Sequence, residues 1–345
     1  MPTGTPTSND AAPFVTTYLV RRILQAIPLL LVISLVLFTI LQLLPEKPWD
    51  LLLRNPRMTA ADRARLLAYY GFNQPFFVQY LTYMRNLLHF DLGFSYFSHQ
   101  STVSLIAERL PNTALLMGTS YIFTLLIAIP IGIVASVKQY SKLDNFLTTG
   151  AFIGISLPQF WFGLMLIILL SVLPYEHFGF RIFPTDGMWD SGHEGNLAHL
   201  NLGDPLNLAW HLVLPGLVLA VQSIAQYSRF VRSSMLDVLS QDYIRTARAK
   251  GLSAVRVVVG HGFRNSLLPL ITLMGLDIPQ LFAGALITEQ VFTWPGMGRL
   301  FWESAGKGDY QVLLGILIIL AVMVVLGNLL ADLAYGWADP RIQYR

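Results

Sequence analysis

The sequence predicts an all-α polytopic membrane protein with six transmembrane helices, and three observations predict it. Of 345 residues, 54% are hydrophobic and only 12% charged, about half the charge of a typical soluble domain. The apolar residues are gathered into long runs. The Lys and Arg residues between those runs fall mainly on one side.

A span needs roughly 20 mostly apolar residues, and the runs lie at about 23–44, 113–137, 146–173, 211–229, 267–291 and 311–334. The first follows Arg21-Arg22, as the apolar region of a signal peptide would. It is too long for that, and Pro45-Glu46-Lys47-Pro48 follows it in place of a small-x-small cleavage site, so it reads as a retained span. Residues 1–17 ahead of it read as a disordered cytoplasmic tail. The fourth span is thinned by Gln222, Ser223 and Gln226. Pro28, Pro130, Pro158, Pro215 and Pro279 fall inside spans, where neighbouring groups must satisfy the freed backbone. They are either kinks of a moving protein or ordinary membrane-helix composition.

Orientation follows the Lys/Arg bias of short loops. Thirteen basic residues fall on one side: Arg21, Arg22, Lys138, Lys142, Arg229, Arg232, Arg245, Arg248, Lys250, Arg256, Arg264, Arg341 and Arg345. Three fall in short loops on the other: Arg181, Arg299 and Lys307. Both termini and the 230–265 loop are therefore expected in the cytoplasm, with 45–111, 174–210 and 292–310 outside. Segment 45–111 carries its own helix signals. Thr59 can cap a helix to about Tyr70 that stops at Gly71, and Pro75 opens a second, Phe76 to about His89. Phe76, Phe77, Tyr80, Leu81, Met84, Leu87 and Leu88 are placed on its apolar face. Segment 174–210, acidic and glycine-rich, reads as a loop.

Several function classes drop out. A formal net charge of +3 gives no argument for nucleic acid, and with no cysteine there is no disulfide or thiolate chemistry. Gly306-Lys307 lacks the upstream glycine of a phosphate-cradling loop. His193-Glu194 has its next histidine at His199, too far for two zinc ligands on one helical face, and reads as a solvated loop. No Gly-x-Ser-x-Gly elbow occurs, so the chain is expected to have no catalytic residues, no metal site and no cofactor of its own.

Ionisable groups inside spans are functional candidates by default. Asp277, Glu289 and Asp332 are the ones here. Asp277 either serves a coupling ion, or lines an aqueous path or bonds a neighbouring helix without binding one. Glu289, beside Trp294-Pro295-Gly296, is expected to brace an outer gate. Gln159, Gln222, Gln226, Asp277, Glu289 and Trp294 form the candidate pathway or gate set.

The cytoplasmic stretch MLDVLSQDYIRTARAKGLSAVRVVVGHGFRNSLLP, 235–269, carries the most information. Its middle is helix-forming, with small Ala247 and Ala249 among Arg245, Arg248 and Lys250, and Gly251 stops it. So short a helix is marginal alone. Either another protein docks on its small residues, or its cations lie on anionic lipid headgroups.

This stretch resembles the cytoplasmic loop of ABC importer permeases, with Arg245-Thr246-Ala247 where the family has Glu-Ala-Ala, Gly251 as the family glycine and Leu268-Pro269 as the closing pair. The arginine and the longer glycine-to-proline interval resemble the dipeptide/oligopeptide/nickel branch, as does DYIRTARAKGL with His261 and Arg264-Asn265. The resemblance continues through YLVRRILQAIPLLL, QPFFVQYL, Asp91-Leu92-Gly93, ERLPNTALL, SLPQFWFGLML, ITEQVFTWPGMGRL and DLAYGWADPRIQYR. Glu46-Lys47-Pro48 departs from a commoner Gly-Asp pair.

The resemblance implies a type I ABC importer permease fold, with an outer helical subdomain between the first two spans. Its domains are a tail 1–17, a first span 18–44, the outer segment 45–111, a core 112–334 with coupling loop 230–265, and a tail 335–345. It implies the first of two homologous permeases in a cell inner membrane, importing peptides or similar small solutes. The implied partners are a second permease, two ATPase subunits that hold ATP and Mg, an extracytoplasmic binding protein and the lipid bilayer. Tyr243, Arg245, Thr246, Ala247, Arg248, Ala249, Lys250 and Gly251 become the ATPase-coupling helix. Other readings are a self-contained secondary carrier or channel, which would need an internal repeat and coupling-ion groups, and a non-transporting membrane scaffold.

Overall fold

The computed structural model describes residues 11–43, 59–69, 71, 73–277 and 285–338. Among these residues the regular structure is helical, with two isolated bridges, Phe94 to Ser101 and Asn196 to Asn201. Five helices are long and apolar enough to cross a membrane: Leu24–Leu43, Thr102–Val137, Gln159–Phe178, Pro205–Leu239 and Tyr310–Asp332. The chain divides into two compact units, the described parts of Met1–Ala107 with Phe301–Arg345, and Glu108–Leu300.

The first unit is built on α1 (Ala11–Leu43). This helix starts inside the segment read above as a disordered tail. Once a turn exists, each added residue gains a hydrogen bond at little further cost, and Pro13 is tolerated in a first turn. The outer helices appear where capping predicts them, α2 (Ala60–Tyr69) and α3 (Phe76–Leu88). Phe38 of α1 meets the rings of Phe76, Tyr80 and Tyr83 at 5.6, 5.6 and 5.4 Å. Ser34 Oγ lies 2.8 Å from Tyr80 OH, and Gln42 Nε2 donates to Gln79 Oε1 at 2.8 Å. The single apolar face expected for α3 is in fact two stripes. Positions 76, 80 and 83 face α1, while Phe77, Leu81 and Leu88 point away and are 66–76% exposed, because the expected set is wider than one helix–helix contact can cover. The last helix, α12 (Tyr310–Ala338), packs against α1. Arg22 Nη2 reaches Asp332 Oδ2 at 3.0 Å, which gives that intramembrane aspartate a partner.

The second unit contains α4 (Thr102–Val137, its first turns in the first unit), α5 (Lys142–Ser156), α6 (Gln159–Phe178), α7 (Pro205–Leu239), α8 (Asp242–Ala249), α9 (Arg264–Asp277), α10 (Leu286–Val291) and the start of α11 (Met297–Lys307). The predicted single span 146–173 is broken into α5 and α6. Pro158 biases the residue before it towards extended backbone, and Leu157 has ψ 128°. Within α6, Pro174 lacks the N–H that would bond Leu170 O. That carbonyl accepts instead from Ile182 N at 3.0 Å and Phe183 N at 3.2 Å, beside a π-helical turn at Ile168–Val172. The predicted span 267–291 has its first half in α9 and its last turns in α10. Residues 278–284, Pro279 among them, lie outside the described residues.

α7 is the central element, touching α5, α6, α9 and α10. It is 35 residues long, well beyond the predicted 211–229. Asp204 caps it by accepting from Leu206 N and Asn207 N, with Pro205 at its first position. Its buried face carries Tyr227, Val231 and Met235, packed with Ala128 and Leu270. α4 approaches that face at Gly132, where a Cβ would lie 2.6 Å from Val231 Cβ and 2.8 Å from Ser228 O. Gly132→Val therefore overpacks the α4–α7 contact at a cost of about 1–3 kcal/mol, read as a lower thermal-unfolding midpoint. Gly118→Ala, where a Cβ meets nothing within 4 Å, leaves that midpoint unchanged.

Candidate functional site

The loop after α7 folds into three parts: α8, a short turn, and a π-helical stretch Arg256–Phe263 that runs into α9. The end of α8 closes as a Schellman motif. Gly251 N donates to Arg248 O at 2.9 Å and Leu252 N to Ala247 O at 3.4 Å. Gly251 takes φ +76°, a left-handed conformation that side chains disfavour, as the sequence predicts for a helix stop.

α8 is held to its own chain by an apolar face. Ile244 is fully buried and Ala247 is 8% exposed, both packed with Val257, Leu239 and Leu252. Ala247 and Ala249 were expected to share one partner-facing surface. The structure corrects this: Ala247 lies on the Ile244 side, three residues along, while Ala249 is exposed. The exposed face consists of Tyr243, Arg245, Thr246, Arg248, Ala249 and Lys250. Arg245 reaches Asp242 at 3.5 Å, a solvated pair worth little. The inward turn of Ala247 was readable, because Ile244 is the one aliphatic residue of α8 apart from alanine.

A second constellation went unread. Arg232 of α7 donates through Nε to Asp144 Oδ1 at 3.0 Å and through Nη2 to Oδ2 at 2.8 Å. The Asp144 side chain is 4% exposed and that of Arg232 27%. Asp144 also accepts from Tyr140 N and from Thr148 Oγ1, and its own N–H donates to Ser141 Oγ. The Arg232 guanidinium holds the Asp144 carboxyl below the usual carboxylate range. The two residues are 88 apart, and no local pattern announces such a pair.

Glu289 and Trp294, expected at a pathway or gate, are both completely buried. They belong to a closed knot. Glu289 Oε1 accepts from Thr113 Oγ1 at 2.7 Å and Oε2 from Arg299 N at 3.0 Å. Thr113 Oγ1 in turn accepts Met297 N at 2.8 Å. Trp294 Nε1 donates to Asn112 O at 3.0 Å, and Asn112 Nδ2 donates to Pro295 O at 2.7 Å. A Cβ at Gly296 would fall on the Glu289 carboxylate, so the Trp-Pro-Gly turn can close over it only with glycine there. Asn112 and Thr113 are the partners that sequence reasoning passed over, although a polar pair opening an apolar run is a visible signal.

The remaining pathway candidates sit elsewhere. Gln159 is the half-buried first residue of α6. Gln222 and Gln226 are exposed on one face of α7, continued by exposed Arg229, Ser233 and Asp237 at helical spacing. The side chain of Asp277 lies outside the described residues. His193 pairs through Nδ1 with the α7 cap Asp204 at 2.9 Å.

Residues 128–344 match the family model described as binding-protein-dependent transport system inner membrane component, and residues 15–117 match that of its N-terminal part. The oligopeptide transport system permease protein AppB of Bacillus subtilis is 46% identical over 328 residues, covering 95% of this chain and 99% of that protein. The dipeptide transport system permease protein DppB of Escherichia coli K12 is 35% identical over 346 residues, covering 95% and 99%. Among solved structures, an inward-facing MetNI methionine ABC transporter chain aligns with TM-score 0.52 at 16% identity, covering 69% of this chain and 97% of that one.

Two outcomes follow from the geometry. Glu289→Ala leaves Thr113 Oγ1 and Arg299 N without their acceptor, about 1–3 kcal/mol for each buried group, so its unfolding midpoint drops further than that of Glu289→Gln, which keeps one acceptor oxygen. The Asp144 pair stabilises the fold above the unfolded carboxylate pKa of about 3.9. That contribution is lost as pH falls through the lowered folded value. Acid unfolding of Arg232→Gln should therefore begin at higher pH than that of the parent.

Proposed function

The chain belongs to the binding-protein-dependent transport system inner membrane components, and from that premise we propose that it imports peptides or similar small solutes as one of two permeases in an ATP-driven complex. It is the permease subunit of a binding-protein-dependent ABC importer. Relatives named for oligopeptide and dipeptide transport, similar over 95% of the chain, support the cargo class. The other members of the proposed complex are a homologous permease, two ATPase subunits that bind ATP and Mg, and an extracytoplasmic binding protein. The complex sits in the inner membrane with both termini of this chain in the cytoplasm.

The observation that carries the mechanism is the continuity of α8 with α7. α8 keeps its apolar side on its own chain and presents Tyr243, Arg245, Ala249 and Lys250 outward, a surface suited to an ATPase groove. α7 ends three residues before α8 begins and exposes a polar stripe, Gln222, Gln226, Arg229 and Ser233. In our reading the stripe lines the substrate path, and ATPase closure displaces α8 and with it the end of α7. The two subunits then rock between outward and inward access.

Reconstitution in proteoliposomes with the other subunits tests this: uptake of a labelled peptide should require ATP and be unaffected by an uncoupler. Uptake that ignores ATP and collapses with the uncoupler would make the chain a secondary carrier. Asp277→Asn should leave ATP-driven uptake intact. Ala249→Glu and Gly251→Val should each lower uptake at least tenfold with normal membrane insertion, the first by blocking the docking face and the second by straining the positive φ. Full uptake in both would return α8 to a lipid-facing role. In this cysteine-free chain, an impermeant thiol reagent applied to whole cells should label Ser191→Cys but not Ser253→Cys. Labelling at 253 would invert the orientation.

A further inference from the structure

We infer that Asp144 and Arg232 are positioning residues: their ion pair locks the start of α5 to the second half of α7, so that a displacement of α8 moves both helices as one piece. The inference rests on the ATP-driven import reading above. It begins from geometry. Both carboxylate oxygens of Asp144 are engaged by the Arg232 fork, at 3.0 and 2.8 Å. A bidentate pair fixes an angle as well as a distance. The same carboxylate accepts Tyr140 N at 2.9 Å, in a turn where Tyr140 itself takes φ +60°. Asp144 therefore ties together the turn after α4, the first turn of α5 and the flank of α7.

Arg232 also lies in line with the α8 contact. Arg232, Met235 and Leu239 recur at three and four residues along α7, one face of a helix. Leu239 packs in the Ile244–Ala247–Val257 cluster that holds α8. Met235 is fully buried, and a Cβ on Gly262 of the following π-helical stretch would meet both Met235 and Leu239 at 3.3 Å. A push on α8 thus reaches Arg232 within two turns of α7 through packed side chains, and the ion pair hands it to α5. The pair is a poor device for stability alone. Desolvation of a buried pair largely cancels its attraction, and an apolar replacement of the same shape often serves as well. What an apolar contact lacks is resistance to sliding, which a strut between two helices needs.

The test uses the complete transporter in proteoliposomes and reads ATP hydrolysed per peptide imported. Asp144→Asn keeps the shape and the hydrogen-bond acceptor but removes the charge. It should lower uptake at least tenfold while ATP hydrolysis stays within about twofold of the parent. A role in stability only would lower both in proportion to the folded protein. A second variant, Asp144→Cys with Arg232→Cys, is joined by a reducible bifunctional thiol reagent of matching span. Uptake should return when the link forms and vanish when it is reduced. Unchanged coupling in Asp144→Asn overturns the latch, as does a linked protein that transports less than the unlinked one. A parent that imports without ATP overturns the latch and the import reading together, whereas an ATP-driven parent beside a fully coupled Asp144→Asn overturns the latch alone.

Discussion

A polar group enclosed by apolar helices has to find its partner inside the protein, since leaving it bare costs several kcal/mol. The irregular features of this chain are organised around that cost. Pro174 frees the Leu170 carbonyl, and the chain returns after α6 to give it Ile182 N and Phe183 N. Glu289 is buried completely, and Thr113 and Arg299 N close on it while the Trp-Pro-Gly turn folds over the top. Asp144 is buried, and Arg232, Tyr140 N and Thr148 share its two oxygens. Each satisfied group also joins segments distant in sequence. The long-range connections of the second unit are in this sense a by-product of polar bookkeeping.

The same constraint divides α7 along its length. Towards its start, buried His211, Leu212, Leu214 and Val218 place it among other helices, with Trp294 and Met188 in the same cluster as Leu212. Towards its end, one face stays buried through Tyr227, Val231 and Met235 while the opposite face turns polar and exposed. The later half of the helix is thus held along one face and open along the other. α8 continues from that half, and its Schellman stop at Gly251 turns the chain back so that Val257 can cover Ile244. Packing on α8 is thus complete without a partner on its apolar side, and its exposed cations remain for one on the other.

Much of this was legible in the sequence. Apolar run length marks the spans because burial in hydrocarbon acts on composition, and Gly251, Thr59 and Pro75 mark helix ends because capping is local. The errors have local causes too. Helix α7 outran its apolar run because Asp204-Pro205 is a start signal that hydropathy ignores. The third span split because Pro158 acts on Leu157, an effect on backbone angle that hydropathy also misses. Pairs such as Asp144–Arg232 and Thr113–Glu289 are of another kind. Their members lie 88 and 176 residues apart. Each is a single residue without periodicity, and only the folded chain brings them together. Ala247 falls between these cases, since the spacing from Ile244 assigns its side once the helix is granted.

The exposed polar stripe on α7 finally bears on the proposed pairing with a second permease. Gln222, Gln226, Arg229 and Ser233 give α7 an exposed polar stripe, and polar groups turned towards hydrocarbon lack the partners they need. Among the described residues, the Arg229 guanidinium lies 5.5 Å from the centre of the Phe152 ring, a contact worth about 0.5–1 kcal/mol when exposed. Phe152 in turn is one of several exposed apolar residues of α5, with Phe146, Ile153 and Ile155, residues matched to lipid or to another apolar surface. A homologous subunit facing the stripe would complete an aqueous cleft without placing either stripe in lipid, and the apolar flank of α5 would seal its edge.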